Sequence, residues 1–399
     1  MNIAIIGCGV AGQAAAIALT RDGHSVTVFE RFAKPEPVGA GLLLQPSGLA
    51  VLERLGLADA ARAWGAPVSG LFGRTARGRT VLDMRYARIF DGAKGLGIHR
   101  AALFDVLHEG LNRCGAKLVF GFEVGTIENP NAPEIVSRDG RRAGPFDLVI
   151  DCAGAHDRLR TALNVTLRDR IYPWGCLWAT CPDRNGEFQG LLRQVYDGTK
   201  IMMGILPIGR VPGSTFDGPH VALFWSLRHS DAEVQKQEAL AVLKEKMLAR
   251  WPQAEPVFDE IQSYDALALA SYRDVMLRSF SRGHVLMMGD AAHATSPQLG
   301  QGANLALIDA ITVSWALRQS GDVITALAAY EKSRRAHLNY YQLGSAALTP
   351  VFQSNSRAIG WLRDTFLGPA GKLPGIGHVM RTTLSGVRKF PFGLWSMPR

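Results

Sequence analysis

Residues 1–30 read MNIAIIGCGVAGQAAAIALTRDGHSVTVFE, and this stretch decides the fold. Ile3-Ala4-Ile5-Ile6 is a short apolar run, read as a buried strand. Gly7-x-Gly9-x-x-Gly12 follows it directly. Val10 to Thr20, rich in Ala14, Ala15, Ala16, Ile17, Ala18 and Leu19, predicts a tight helix of small residues. Arg21-Asp22-Gly23 ends it, and Ser25-Val26-Thr27-Val28-Phe29 predicts a second strand, which completes a βαβ opening. Each glycine has its own task. Gly7 permits the turn, Gly9 lets the backbone approach a pyrophosphate, and Gly12 lets helix and strand pack closely. The helix start, with Ala11 in its first turn, offers free N–H groups to phosphate. Glu30 stands 18 residues beyond Gly12, at the end of the second strand, where an acid accepts from ribose hydroxyls. Arg31, beside it, is grouped with these nucleotide contacts.

A glycine-rich turn of this kind does not separate FAD from NAD. A second segment does. Residues 283–310 read GHVLMMGDAAHATSPQLGQGANLALIDA. Asp290 follows the apolar run Val285-Leu286-Met287-Met288, so it is expected at a strand's C-terminal end, where ligands bind in such sheets. Gly300, Gly302, Ala303 and Asn304 then open a helix. Its free N–H groups suit the electron-rich pyrimidine edge of a flavin. His293 is read as a brace for the loop after Asp290.

With these two motifs about 270 residues apart, the chain resembles the FAD-dependent aromatic hydroxylases, the flavoprotein monooxygenases of the para-hydroxybenzoate hydroxylase class. The resemblance spans residues 1–340 or so. It implies FAD, with Asp290 on the ribityl chain and Pro297 near the flavin face; because no sequence feature marks an attachment residue, the FAD is expected to be held without a covalent bond. Arg100, at a predicted helix start after Leu96-Gly97-Ile98, resembles the arginine that reaches the cofactor from the far side. The resemblance further implies NAD(P)H as electron donor, O2 as co-substrate, and oxygen transfer from a flavin hydroperoxide to a small aromatic or polyketide-like molecule.

One motif departs from the family. Residues 147–160 read DLVIDCAGAHDRLR, where the family carries an Asp-Gly pair followed by Ser and Arg, linked to both FAD and the reduced nicotinamide. Gly154 and Arg160 are kept. Ala153 stands in place of the Asp and Asp157 in place of the Ser. Asp151 is a candidate substitute for the missing carboxylate.

The expected fold class is α/β. A Rossmann-like FAD-binding domain carries an inserted, mainly antiparallel substrate sheet and is followed by C-terminal helices. Segments 1–70, 96–165 and 270–345 are assigned to the discontinuous FAD domain, 71–95 and 166–269 to the substrate domain, and 346–399 to the helical end. Helices are expected over 46–63, from His99 through Leu111, over 231–250 and over 303–318, with later breaks at Pro350, Pro369 and Pro374. Strands are expected at 117–120, about 134–138 and 146–150. Within 171–230, Trp174, Trp178 and Trp225 are candidates to line an apolar pocket. Arg193, Tyr196, His220 and His229 are the polar candidates beside them, though ordinary sheet positions explain each as well. No catalytic residue is singled out.

At 399 residues, 47% hydrophobic and 20% charged, the composition is that of a globular protein. No apolar run reaches the roughly 18 residues of a spanning helix. No cleavable leader is evident, so a cytoplasmic location is expected. Five cysteines without a C-x-x-C pair suggest neither a disulfide framework nor a metal site. The net charge of +9 is concentrated in residues 357–399, where seven Lys or Arg face the single acid Asp364. No nucleic-acid-binding pattern accompanies it. The basic residues there are mixed with Trp361, Phe366, Leu367, Phe390, Phe392, Leu394 and Trp395, a combination that suits either packing on the protein's own body or an anionic membrane surface. Other function classes remain open: a flavin-dependent reductase or dehydrogenase, and a non-catalytic FAD-binding protein. The halogenase signature W-x-W-x-I-P is not met, since Trp174 and Trp178 are four apart.

Overall fold

The computed structural model describes residues 1–34, 39–89, 91–390 and 393–398; Phe392 lies outside them. Its first layer is a six-stranded sheet. Strand β1 (Asn2–Ile6) lies at its centre, flanked by β2 (Ser25–Glu30) and by Leu148–Asp151. Lys117–Phe120 extends the sheet beyond β2, and Val285–Met287 extends it on the other side, all in parallel pairing. Parallel strands need crossovers. Helix α1 (Val10–Arg21) supplies the first, packed between the sheet and helix Gly302–Arg318. Ile3, Ile5, Ile17 and Leu19 are fully buried there, each worth about 1.5–3 kcal/mol of transfer free energy.

The second layer is a nine-stranded sheet in which Thr166–Pro182 pairs antiparallel with both His220–Arg228 and Ala268–Leu277. Gly41–Leu44, Ala66–Thr75 and Gly95–His99 belong to this sheet too. The chain thus crosses repeatedly between the layers. Period-two alternation gives the sheet two different faces. Leu177, Leu223 and Trp225 pack against the helices of residues 229–259. Cys176, Trp178 and Phe224 face the other way.

Several elements differ from expectation. The helix expected over 46–63 is two helices, Pro46–Arg54 and Ala58–Trp64, parted where Gly56 takes φ +63°. The helix expected over 231–250 is also two, His229–Gln237 and Leu240–Leu248, because Glu238 is extended and its carboxylate is held by Lys246 at 2.5 Å. Pro350 and Pro369 do not break the C-terminal helices. Each sits inside the last turn of its helix, Val323–Phe352 and Arg357–Lys372. Pro374 opens the next helix at a position where its missing N–H costs nothing. All five cysteines are free.

His99 joins the layers. It ends strand Gly95–His99, and its Nδ1 accepts from Ala101 N at 3.2 Å, capping helix Arg100–Cys114. Burial, then the neighbouring His220 and Arg100, lowers its pKa to about 4, whereas an unfolded chain's histidine titrates near about 6.5. Between those values the unfolded chain takes up a proton that the fold does not. The contribution of His99 is therefore fully present above about 6.5 and is lost as pH falls towards its folded value. His99→Asn keeps a side-chain acceptor for the cap but does not titrate. It should flatten the decline in melting temperature across that acidic range, and an unchanged slope would remove His99 from the responsible groups.

Candidate active site

The turn between β1 and α1 shows why three glycines are needed. Gly7 has φ +97°, and a Cβ on it would lie 2.7 Å from the Cys152 carbonyl oxygen. A Cβ on Gly12 would lie 2.0 Å from the Gly7 carbonyl oxygen. Gly9 is different: nothing lies within 4 Å of its would-be Cβ, and its φ of −80° is ordinary. The open space above Gly9 fronts the first turn of α1, whose N–H groups precede the first intrahelical bond, Gln13 N to Gly9 O at 2.9 Å. Ala11 lies in that turn. Glu30 is buried at the end of β2, where its carboxylate accepts from Cys8 N at 2.8 Å and Phe32 N at 3.0 Å. Two carboxylate oxygens retain further acceptor capacity after those bonds. Arg31 is exposed, with its guanidinium 4.6 Å from the centre of the Phe32 ring. Burial, then Glu30, pushes the Cys8 thiol up to about 12, so it stays protonated.

The second motif packs onto the first. Gly289, at φ +61°, approaches α1 so closely that a Cβ on it would meet Ala11 Cβ at 2.9 Å. Asp290 is exposed, and its carboxylate has no hydrogen-bond or ion-pair partner among the described residues. Pro297 opens a short 3-10 turn that ends at Gly300, φ +59°. Helix Gly302–Arg318 then begins, its first bond being Leu305 N to Gln301 O at 2.8 Å. The N–H groups of Gly302, Ala303 and Asn304 therefore have no intrahelical partner. The Asn304 side chain is fully committed: Oδ1 accepts from Gln45 N at 2.8 Å, and Nδ2 donates to Leu43 O and Gly300 O at 3.1 Å each. Its main chain is the part left for a ligand.

His293 is fully enclosed. Its Nε2 lies 2.6 Å from Asp309 Oδ2, and the same oxygen accepts from Gly289 N at 2.9 Å. Arg334 Nε donates to Asp309 Oδ1 at 2.8 Å. Burial alone would raise the Asp309 pKa, but Arg334 and His293 hold it well below the usual carboxylate range. This arrangement makes His293 the brace of the loop. Asp309 and Arg334 gave no sign in sequence, since nothing in their spacing marks two helix residues as partners.

The departing segment packs beneath the glycine turn. Ala153 is exposed, and Gly154 has φ +90° with open space beside it. Asp151 does not replace the missing carboxylate at the surface. It is fully buried, its Oδ1 accepts from Ala153 N at 2.9 Å, and Oδ2 has no partner. Burial, then Asp157, raises its pKa well above the usual range. Arg160 is also fully buried and joins this segment to its surroundings, donating to Ala155 O at 2.7 Å and to Asp169 Oδ2 at 2.9 Å.

Arg100 is exposed beside Gly39, whose would-be Cβ lies 2.9 Å from the arginine Cδ. Strand Ala268–Leu277 runs alongside the second motif, with Val275 N donating to Ala294 O at 2.9 Å. On this side Trp178 and Tyr272 are half-buried. Trp178 Nε1 donates to Tyr272 Oη at 3.2 Å, and the Trp178 ring lies 5.1 Å from that of Phe224. Burial, then Cys176, keeps the Tyr272 phenol protonated well beyond its ordinary range. Tyr272 and Cys176 escaped the sequence reading. Of the three tryptophans expected to share a pocket, Trp225 faces the opposite side of the sheet from Trp178, because adjacent register positions alternate. His220 is bonded to Ser214 at 2.8 Å and to the Gly218 carbonyl at 2.9 Å. His229 packs beside Gly175. Arg193 lies over Phe188, and Tyr196 donates to Gln194 at 3.0 Å.

An open cradle at Gly9, two helix starts with Gly289 packed closely between Ala11 and Ala306, and the unpartnered Asp290 carboxylate fit a dinucleotide whose flavin end extends towards Gly300. The model of the FAD binding domain family matches residues 1–340, and the chain belongs to that family. It is an enzyme of the FAD-dependent monooxygenase class. The aurachin C monooxygenase/isomerase of Stigmatella aurantiaca is 26% identical over 371 residues, covering 92% of this chain and 94% of that one. The 3-amino-4-hydroxybenzoate 2-monooxygenase of Streptomyces cremeus is 31% identical over 339 residues, covering 78% and 77%. Klebsiella pneumoniae HpxO, solved with FAD and uric acid, shares the fold with a TM-score of 0.80 at 21% identity, covering 97% of each chain.

The geometry separates two glycine substitutions. Gly9→Ala should fold normally yet hold much less FAD, because its new methyl enters space left for the ligand. Gly12→Ala should lose several kcal/mol of stability, about 3 or more, because its methyl meets backbone. Thermal unfolding and the ratio of flavin to protein absorbance measure both, and equal melting losses in the two variants would contradict the distinction. Asp290→Ala should lower flavin occupancy with little change in the apoprotein's melting temperature.

Proposed function

We propose that the protein hydroxylates a small electron-rich aromatic compound. The overall reaction joins the substrate C–H, O2, NAD(P)H and a proton to give the hydroxylated product, NAD(P)+ and water. Bound FAD supplies the hydride acceptance and the oxygen activation. The protein's own groups bind and orient. In this proposal Gly9 and the first turn of α1 hold the pyrophosphate, Glu30 takes a ribose hydroxyl, and Asp290 takes the ribityl chain. The main-chain N–H groups of Gly302, Ala303 and Asn304 face the pyrimidine edge and favour negative charge there.

The observation that carries the reading of the acceptor is the half-buried Trp178–Tyr272 pair, in which Tyr272 lies on the strand bonded to the Asp290 loop and Trp178 on its neighbour Thr166–Pro182. Trp178 offers a flat apolar surface. A Tyr272 phenol that remains protonated is a donor suited to orienting a substrate oxygen, not a base that removes its proton. Relatives named for 3-amino-4-hydroxybenzoate and for urate support an aromatic or heteroaromatic acceptor. Ala153 leaves the nicotinamide without the family's carboxylate, so the donor is held by other contacts. Because Ala153 is exposed, Ala153→Asp adds a solvated charge and not a buried one.

The test is NAD(P)H oxidation with a panel of phenols and hydroxylated heteroaromatics under labelled O2. We expect at least one compound to accelerate flavin reduction and to gain a single labelled oxygen atom. Ala153→Asp should lower KM for NAD(P)H several-fold with kcat little changed. Reduction of an acceptor without oxygen gain would assign the protein to the reductases. No NAD(P)H oxidation with any compound, in wild type and variant alike, would overturn the catalytic reading.

A further inference from the structure

The C-terminal helices Arg357–Lys372 and Pro374–Leu384 are anchored on one side only. Arg363 points inward, buried, donating to Gly198 O at 2.9 Å with its guanidinium 4.8 Å from the centre of the Tyr196 ring. Gly360 and Gly368 face the body as well. Would-be Cβ atoms there would lie 3.4 Å from Thr199 Cγ2 and 2.4 Å from the Thr80 carbonyl oxygen. This anchoring fixes what the other side presents. Trp361 is 63% exposed, Phe366 56% and Leu373 55%, with Leu362, Ile376 and Val379 also exposed. Trp361 and Phe366 pack edge to face at 6.1 Å, so they form one patch. The exposed residues of 357–379 are apolar, glycine or basic; the one acid, Asp364, is bound to Arg363 at 2.6 Å. Isolated exposed apolar residues need no explanation, but a contiguous patch marks a docking surface.

Beside this patch lies a cleft of about 460 Å³ between strand Thr80–Arg85 and the same two helices. Pro369 and Lys372 belong to both the cleft lining and the exposed surface. Arg79, Arg85, Arg88 and Arg381 line it with Lys372, against the single acid Asp83, which is paired with Arg85 at 2.9 Å. Arg88, Lys372 and Arg381 have no carboxylate partner among the described residues. The arrangement is therefore an apolar patch with aromatic members, bordered by unpaired cations. No described helix is long and apolar enough to cross a membrane.

We propose that this face docks on a bilayer containing anionic phospholipids, with Trp361, Leu362 and Phe366 entering the interfacial region and the basic cleft receiving lipid phosphates. Amphipathic helices lie in the interface by burying an apolar side while cations meet acidic headgroups. Charge selects this occupant over a second copy of the chain. A two-fold contact through the same patch would bring each copy's Arg357, Lys372 and Arg381 towards the same unpaired cations on the other. The inference is independent of the reaction, because it uses no residue of the cofactor or acceptor site.

The experiment is flotation of the FAD-loaded protein with phosphatidylcholine vesicles, with and without phosphatidylglycerol. Wild type should bind the acidic vesicles, weakly or not at all the neutral ones, and should be released by salt. Trp361→Ser with Phe366→Ser should abolish binding. Arg88→Gln, Lys372→Gln and Arg381→Gln together should weaken it at least about tenfold, since each cation near such a surface contributes appreciably. Flavin content and melting temperature should be unchanged in both variants, because these side chains are not part of the folded core. Equal binding to neutral vesicles would overturn the role of the cleft. No binding to either vesicle, or a dimer in sedimentation that Trp361→Ser dissociates, would overturn the proposal and assign the patch to self-association.

Discussion

The site depends on one carboxylate. Asp309 is entirely removed from water, yet both its oxygens are engaged: Gly289 N–H and His293 on one, Arg334 on the other. An unpaired charge in such a place would be untenable, and removing one partner of a buried pair typically costs about 3–5 kcal/mol. The arrangement is not the cheapest way to fill a core, since an apolar substitute of like shape often stabilises as well. What it provides is direction. It ties the Gly289–Asp290 turn to the middle of helix Gly302–Arg318 and, through Arg334, to helix Val323–Phe352. Arg334 in turn contacts His337, whose Nε2 lies 2.9 Å from the Gly386 carbonyl and whose ring stacks on Trp395 at 4.6 Å. The C-terminal chain is thereby attached to the network that positions the Gly289–Asp290 turn.

Much of this was written in local sequence. The βαβ opening, the glycine roles and the placement of Asp290 at a strand end all follow from motifs whose parts are near neighbours in the chain, where short-range sterics decide the outcome. Gly7 and Gly12 each meet the steric constraint that their spacing implied, and Gly9 leaves open space beside it. What escaped was carried by contacts between distant segments. The bond from Asp309 to His293 joins residues on separate elements, and Tyr272 acquires its place only when Ala268–Leu277 pairs with Thr166–Pro182. Trp225 was misplaced for a related reason: facing depends on register, and a one-residue difference moves a side chain to the other side of a sheet. The proline breaks were misjudged because Pro350 and Pro369 lie in last turns, where a lost N–H bond disturbs few residues after it.

Helix Gly302–Arg318 is held along its whole length. Asn304 clamps its start to Leu43, Gly300 and Gln45, and Asp309 holds its middle. Near its end Ser314 and Arg318 both bond Asp22, just past α1, at 2.6 and 2.9 Å. The two helices whose first turns line the candidate site are therefore tied at their far ends through Asp22, and at their near ends Gly289 sits closely between Ala11 and Ala306. Fixing them costs conformational freedom during folding, not at the moment of binding, which is the condition for preorganised electrostatics. The same economy explains which groups remain unbonded. The Glu30, Asn304 and Asp309 side chains are engaged with protein partners, while the Asp290 carboxylate and the N–H groups of the two first turns are not. Open space lies beside Gly9 and Gly300, where a flavin dinucleotide would supply partners for these groups.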